Sequence, residues 1–222
     1  MKSLKPIVVT IVAGAIMALP AGAQVVVNGG FEAPVQPLQP PNQFLYVGST
    51  TIQGWTVVGT GNVGDVQQVN QLVNIWPGNM TQFVDLTGDT GGAGIQSDSI
   101  TTAIGQAYEV TFDAFNGSLL YNDVGGTPQT GVAYVGPALS LQASGGILQP
   151  YILPAGVPQS PTYLFVATSA STTLTFMDLS GYDSNAGWID NVAIQAVPEP
   201  MTVTILGLGA LACINHLRMR RS

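Results

Sequence analysis

The chain has 222 residues, a formal net charge of −7 and only 8% charged residues, where an ordinary soluble domain carries about 25%. Its basic residues are Lys2, Lys5, Arg218, Arg220 and Arg221, and its single His and single Cys are His216 and Cys213. Between Gln24 and Val197 lie eleven carboxylates and no Lys, Arg, His or Cys, so that segment carries −11. Nucleic acid and anionic lipid are poor partners for it, because nothing there neutralises phosphate. Disulfides, His or Cys metal sites, Lys nucleophiles and Ser-His-Asp triads are excluded as well. Only paired carboxylates are left for acid–base work, as in glycoside hydrolysis. Eleven acids supply some such pair in almost any fold, so the segment reads as non-enzymatic.

In chain order, the first element is an address. Lys2 and Lys5 precede the apolar run Ile7–Leu19, and Pro20 precedes the small residues Ala21-Gly22-Ala23. Residues 1–23 are therefore expected to be a secretory signal peptide cleaved after Ala23, with Ala21 and Ala23 forming the cleavage site.

Residues 24–196 show short alternating runs and no long helical period. Strands are expected at Val25–Val27, Trp55–Val58, Gln82–Leu86, Ala107–Phe115, Ala133–Val135, Leu139–Leu141, Tyr163–Ala167, Thr172–Met177 and Ile189–Ile194. The clearest is Ala107–Phe115, with Tyr108, Val110, Phe112 and Ala114 on one face and Glu109, Thr111 and Asp113 on the other. Turn signals separate the strands at Thr87-Gly88-Asp89, Gly91-Gly92, Gly125-Gly126 and Gly145-Gly146. Ala33–Asn42, with four prolines, reads as a long extended loop. The fold class is all-β, an antiparallel jelly-roll β-sandwich flanked by an N-terminal signal peptide and a C-terminal single transmembrane helix. About 175 residues bury a core without covalent staples.

The chain closes with Val197-Pro198-Glu199-Pro200, an apolar stretch Met201–Leu217, and Arg218, Arg220 and Arg221. The prolines break any element passing through them. Residues 201–217 sit at the lower limit of about 17 residues for a spanning helix, with the three arginines as a basic stop.

Two resemblances follow from these motifs. Residues 197–221, a Pro-Glu-Pro motif, an apolar segment and a terminal Arg cluster in that order, resemble the PEP-CTERM sorting signal. The resemblance implies export in Gram-negative bacteria that make extracellular polysaccharide. It also implies recognition at Pro198, Glu199 and Pro200 by an exosortase, an integral-membrane processing enzyme, with transient membrane residence. A GPI-anchor signal is the rival, but such tails lack the basic cluster. In the domain, Asn28-Gly29-Gly30-Phe31-Glu32, Gly54-Trp55-Thr56-Val57, Phe83-Val84-Asp85-Leu86, Gly105-Gln106-Ala107-Tyr108 and Gly187-Trp188-Ile189-Asp190-Asn191-Val192 follow one another. That order resembles secreted galactose-binding-like β-sandwiches, which include carbohydrate-binding modules. It implies a jelly roll, and a structural calcium at carboxylates in the places of Glu32 and Asp190.

The residues themselves bear on that site. Asp190 shares strand parity with Trp188, Val192 and Ile194, which predicts an inward or rim position. A buried carboxylate needs a partner; with no Lys or Arg at hand, backbone NH groups or a hard cation remain. Trp55 and Trp188 read as core. Trp76, beside the turn Pro77-Gly78, is the candidate surface contact for a ligand, with Tyr121 and Asp123. Functionally this describes an exported surface or matrix protein, sorted by its tail and associating with extracellular polysaccharide. A specific carbohydrate-binding module is the alternative, and a carboxylate glycosidase a more distant one.

Overall fold

The computed structural model describes residues 25–36, 42–59, 65–70, 82–86, 92–116, 137–154, 157–179 and 187–198. These contain no helix. They form β1 (Asn42–Tyr46), β2 (Trp55–Gly59), β3 (Asp65–Asn70), β4 (Gln82–Asp85), β5 (Ala93–Ser97), β6 (Ile100–Thr101) and β7 (Ala107–Phe115). They continue with β8 (Pro137–Ala143), β9 (Gln149–Ile152), β10 (Thr162–Val166), β11 (Ser171–Thr172), β12 (Leu174–Asp178) and β13 (Trp188–Ala196). Six strands make one antiparallel sheet in the order β1-β3-β4-β13-β7-β10, and five make the other, β2-β5-β12-β8-β9. The pair β11-β6 stands apart at one end. This is an all-β antiparallel sandwich, as the alternating runs predict. The expected signal peptide, residues 1–23, and the tail from Glu199 onward lie outside the described residues, as do the predicted strand Ala133–Val135 and the residues Trp76, Tyr121 and Asp123.

One apolar core fills the space between the sheets. The six-stranded sheet contributes Val84, Val110, Phe112, Ala114 and Ile189, and the five-stranded sheet Trp55, Val57, Ile95, Leu141, Leu174 and Phe176. Phe112 bridges them, edge-on to Phe176 at 5.0 Å and to Tyr151 at 5.3 Å. Burial alternates along β7 and β12 as the sequence period requires. Gly94 lies where two strands leave no room: an added Cβ would be 2.0 Å from Phe176 O and 2.7 Å from Met177 Sδ.

Three expectations need correction. Val25–Val27 is not a strand but the start of a strap, residues 25–36, laid across the sandwich. Its polar groups are satisfied by side chains rather than by a ladder: Trp55 Nε1 donates to Val27 O at 3.1 Å and Asn28 O at 3.2 Å, and the Asn28 amide spans to Ala33. The predicted Thr172–Met177 is split, with β11 ending at Thr172 and β12 beginning at Leu174. Strands β1, β3, β5 and β9 escape the alternation rule: β3, β5 and β9 carry few apolar residues, β1 sets Phe44, Leu45 and Tyr46 side by side, and each pairs antiparallel with its neighbour.

At its far end the strap is locked by glutamines. Gln36, Gln68 and Gln82 are all buried. Gln36 Nε2 donates to Gln68 Oε1, and the Gln68 and Gln82 amides both donate to Phe31 O, each at 2.8 Å. Buried amides are tolerable here because they satisfy one another and the strap's carbonyls.

Candidate functional site on the six-stranded sheet

The site begins with a fault in β13. This strand pairs β7 through Trp188↔Phe115, Ile189↔Ala114 and Asp190↔Asp113, then resumes at Ala193↔Thr111. Two residues, Asn191 and Val192, therefore oppose one, and Asn191 adopts φ 51°. Such a bulge flips side-chain parity. Val192 and Ile194 point into the core, whereas Trp188 and Asp190 point outward with Phe115 and Asp113. The expected common face of Asp190, Val192 and Ile194 is thus corrected, and so is the placement of Trp188 in the core. Trp188 is only partly buried and lies outside the core cluster.

On this outward face two rows lie side by side. The first runs Asp85–Trp188–Phe115 by direct pairing. Trp188 stacks on Phe83 at 4.6 Å and leans on Phe115 at 5.3 Å. Its Nε1 is buried and has no hydrogen-bond partner among the described residues, an arrangement native proteins seldom leave without a role. Continuing the register across β3 reaches Phe44, 37% exposed, with Tyr46 beyond it at 64%. The second row pairs Asp190 with Asp113. Asp113 is held by Ser160 Oγ at 2.7 Å and Asn191 Nδ2 at 2.9 Å.

The strap brings Glu32 to the same place. Val192 N donates to Gly29 O at 2.9 Å, and a Cβ added at Gly29 would sit 2.1 Å from Val192 O. Only glycine lets the strap approach the bulge this closely. Next to it, the Cβ position of Gly30 lies 3.7 Å from Asn191 Oδ1, 3.9 Å from Asp190 Oδ1 and 3.9 Å from Glu32 Cγ. Three oxygen-bearing side chains thus converge over a residue that has no side chain. Gly29→Ala is expected to lift the strap, costing about 3 kcal/mol, the upper end for overpacking. Thermal melting should show it as a drop of roughly 6–12 °C.

The electrostatics are those of uncompensated acids. Asp190 is 1% exposed, and its carboxyl is pushed up from 3.8 to about 7, chiefly by burial. The NH of Asn191, donating to Oδ1 at 2.7 Å, opposes that rise, and the Glu32 and Asp113 charges add to it. Glu32 is exposed, and its Oε1 accepts the Gln82 NH at 3.2 Å. The two predicted metal residues are therefore brought together, with hard oxygen donors and a deficit of positive charge that suit a calcium ion. Among the described residues no three His, Cys, Asp or Glu side chains form a metal cluster, so the set would need Asn191 Oδ1 or main-chain oxygens. Asn191, which the sequence reading did not single out, could have been found only by anticipating the bulge.

No protein-family model matches the sequence, and no curated protein is similar to it. Solved structures do share the fold. The Stig cyclase Fisc from Fischerella sp. TAU, in complex with (3Z)-3-(1-methyl-2-pyrrolidinylidene)-3H-indole, is 18% identical with a TM-score of 0.52, covering 81% of this chain and 100% of that one. A family 35 carbohydrate-binding module from Clostridium thermocellum is 16% identical, with a TM-score of 0.40 over 69% of this chain and 98% of the module. TmCBM61 in complex with β-1,4-galactotriose is 15% identical, with a TM-score of 0.44 over 77% and 96%. At these identities the likeness is one of fold alone, an antiparallel β-sandwich.

Proposed function

We propose that this is an exported, non-enzymatic surface or matrix protein that binds extracellular polysaccharide on the outward face of its six-stranded sheet. The observation that carries the reading is Trp188, stacked in an aromatic group beside carboxylates with its buried indole NH unpartnered. A sugar ring needs an apolar face to stack on and nearby acceptors for its hydroxyls. Asp113, partly exposed, supplies an acceptor. Trp76, Tyr121 and Asp123 are proposed as further contacts.

Two parts of the proposal rest on other residues. Glu32 and Asp190, with Asn191, hold a calcium ion that cancels the repulsion among the acids and fastens the strap to the bulge. Pro198, Glu199 and Pro200 serve as the sorting motif for an exosortase-type enzyme, and residues 201–217 with Arg218, Arg220 and Arg221 hold the chain transiently in the inner membrane. The non-enzymatic reading is supported at Asp190. Its carboxyl, pushed up to about 7, is covered from solvent and substrate alike.

Binding to a panel of neutral polysaccharides tests the reading. Trp188→Ala is expected to weaken the retained ligand by about 2 kcal/mol, roughly 30-fold in Kd, as for a central aromatic anchor. Unchanged affinity in a variant that still melts cooperatively would refute this face as the site.

A further inference from the structure

The sandwich has two unlike ends. Opposite the Asp85–Trp188–Phe115 row, the loops 99–106, 143–148 and 166–173 meet where the chain leaves β13. Gly105 N donates to Ala167 O, Ala167 N to Gln106 O, Thr102 N to Ala170 O, and Ser144 N to Thr173 O. A Cβ at Gly145 would lie 2.4 Å from Thr168 Oγ1, which seats the 143–148 loop against the same group. None of these loops holds a charged residue; the nearest carboxylates, Asp98 and Glu109, flank the group. Yet they expose Ile104 at 72%, Ile147 at 84%, Leu148 at 46% and Val166 at 56%. Large aliphatic side chains so exposed, among hydroxyls and without charge, mark a contact surface rather than a solvated one.

The exit of the chain says what lies there. Val197 N donates to Ala107 O at 2.9 Å, and Gln106 Nε2 donates to Val197 O at 2.7 Å. The backbone is thus fastened to the domain up to Val197. Only Pro198, Glu199 and Pro200 separate it from the apolar stretch beginning at Met201. Four residue steps reach roughly 14 Å even when fully extended. A domain tethered so shortly to a bilayer cannot turn another end toward it.

We infer that the uncharged loop end is a lipid-docking surface. While residues 201–217 are in the bilayer, Ile104, Ile147 and Leu148 rest in its interfacial layer. Asp85, Asp113 and Asp190, at the Trp188 end of the sheet, then stay clear of the headgroups. Trp188 lies nine residues from Val197 along β13, about 30 Å at some 3.3 Å per residue, so the proposed polysaccharide site points away from the membrane. The inference rests on the membrane reading of the tail given above, and not on the identity of the glycan.

The test uses the full chain in phosphatidylcholine vesicles, with Cys213→Ser as background. Single cysteines from Ile147→Cys, Ile104→Cys and Tyr46→Cys, all at exposed positions, carry a polarity-sensitive fluorophore, and a headgroup-labelled lipid serves as quencher. Quenching at positions 104 and 147 is expected to exceed that at 46 at least threefold. Equal quenching at all three, in protein that survives an alkaline wash of the vesicles, would overturn the docking surface and leave the membrane reading standing. Protein removed by the wash would overturn both.

Discussion

Trp55→Ala should be the most damaging single substitution in the domain, lowering stability by about 3–5 kcal/mol. The indole is 2% exposed and tilts against Phe31 at 5.2 Å and Phe176 at 6.2 Å. Its removal leaves a cavity at the one place where the strap, the five-stranded sheet and the core meet. It also releases Val27 O and Asn28 O, which the indole NH holds. Trp55→Phe separates the two contributions: most of the packing survives, and the lost hydrogen bond costs about 1 kcal/mol. Urea unfolding of both variants gives the numbers. If Trp55→Ala lost no more than Trp55→Phe, the indole would be anchoring the strap and not the core.

Trp55 also shows what the sequence made legible. Its core position follows from alternation in a short strand between turn residues, and the same rule located β7, β10 and β12. Alternation failed in two circumstances. Val25–Val27 looks like a strand, but strand character needs a neighbouring backbone, and here the strap's groups are taken by Trp55 and Asn28 side chains. Conversely, β3, with the sequence DVQQVN, has little apolar signal, because its inward Gln68 is buried in a glutamine network that only the fold assembles.

The site was legible in its members and not in its geometry. Glu32 and Asp190 were named from the resemblance and from the absence of any cation, and the strap brings them together over Gly30. Trp188 reads as core because aromatic side chains in a small sandwich usually are, and the parity that Asp190 shares with Val192 and Ile194 in the sequence breaks at Asn191. A residue at φ 51° in mid-strand leaves no composition signal beyond an Asn, which tolerates that conformation better than most. Asp190 and Trp188 share one face by ordinary alternation; the bulge separates that face from the inward one of Val192 and Ile194, so the acidic and aromatic rows lie together outside the core.

That link gives the second large expected effect, a stability that falls as pH rises. The folded carboxyl of Asp190 titrates at about 7 and the unfolded one at 3.8. Below pH 4 both states hold the proton, and the fold loses nothing at this residue. Between pH 4 and 7 the unfolded chain releases its proton while the native state keeps it, so stability declines by about 1.4 kcal/mol per pH unit. In EDTA this accumulates to roughly 4 kcal/mol by pH 7 and then levels off. Asp190→Asn should abolish the slope, because the amide carries no charge to bury. Millimolar calcium should abolish it differently: it restores a favourable ionised carboxylate, raising the melting temperature at pH 7 and leaving it unchanged at pH 4. The two treatments therefore separate burial from cation binding. A slope that persists in Asp190→Asn would assign the pH dependence to other acids. A slope present in the native chain but indifferent to calcium would leave Asp190 a buried acid and remove the metal from the junction of strap and bulge.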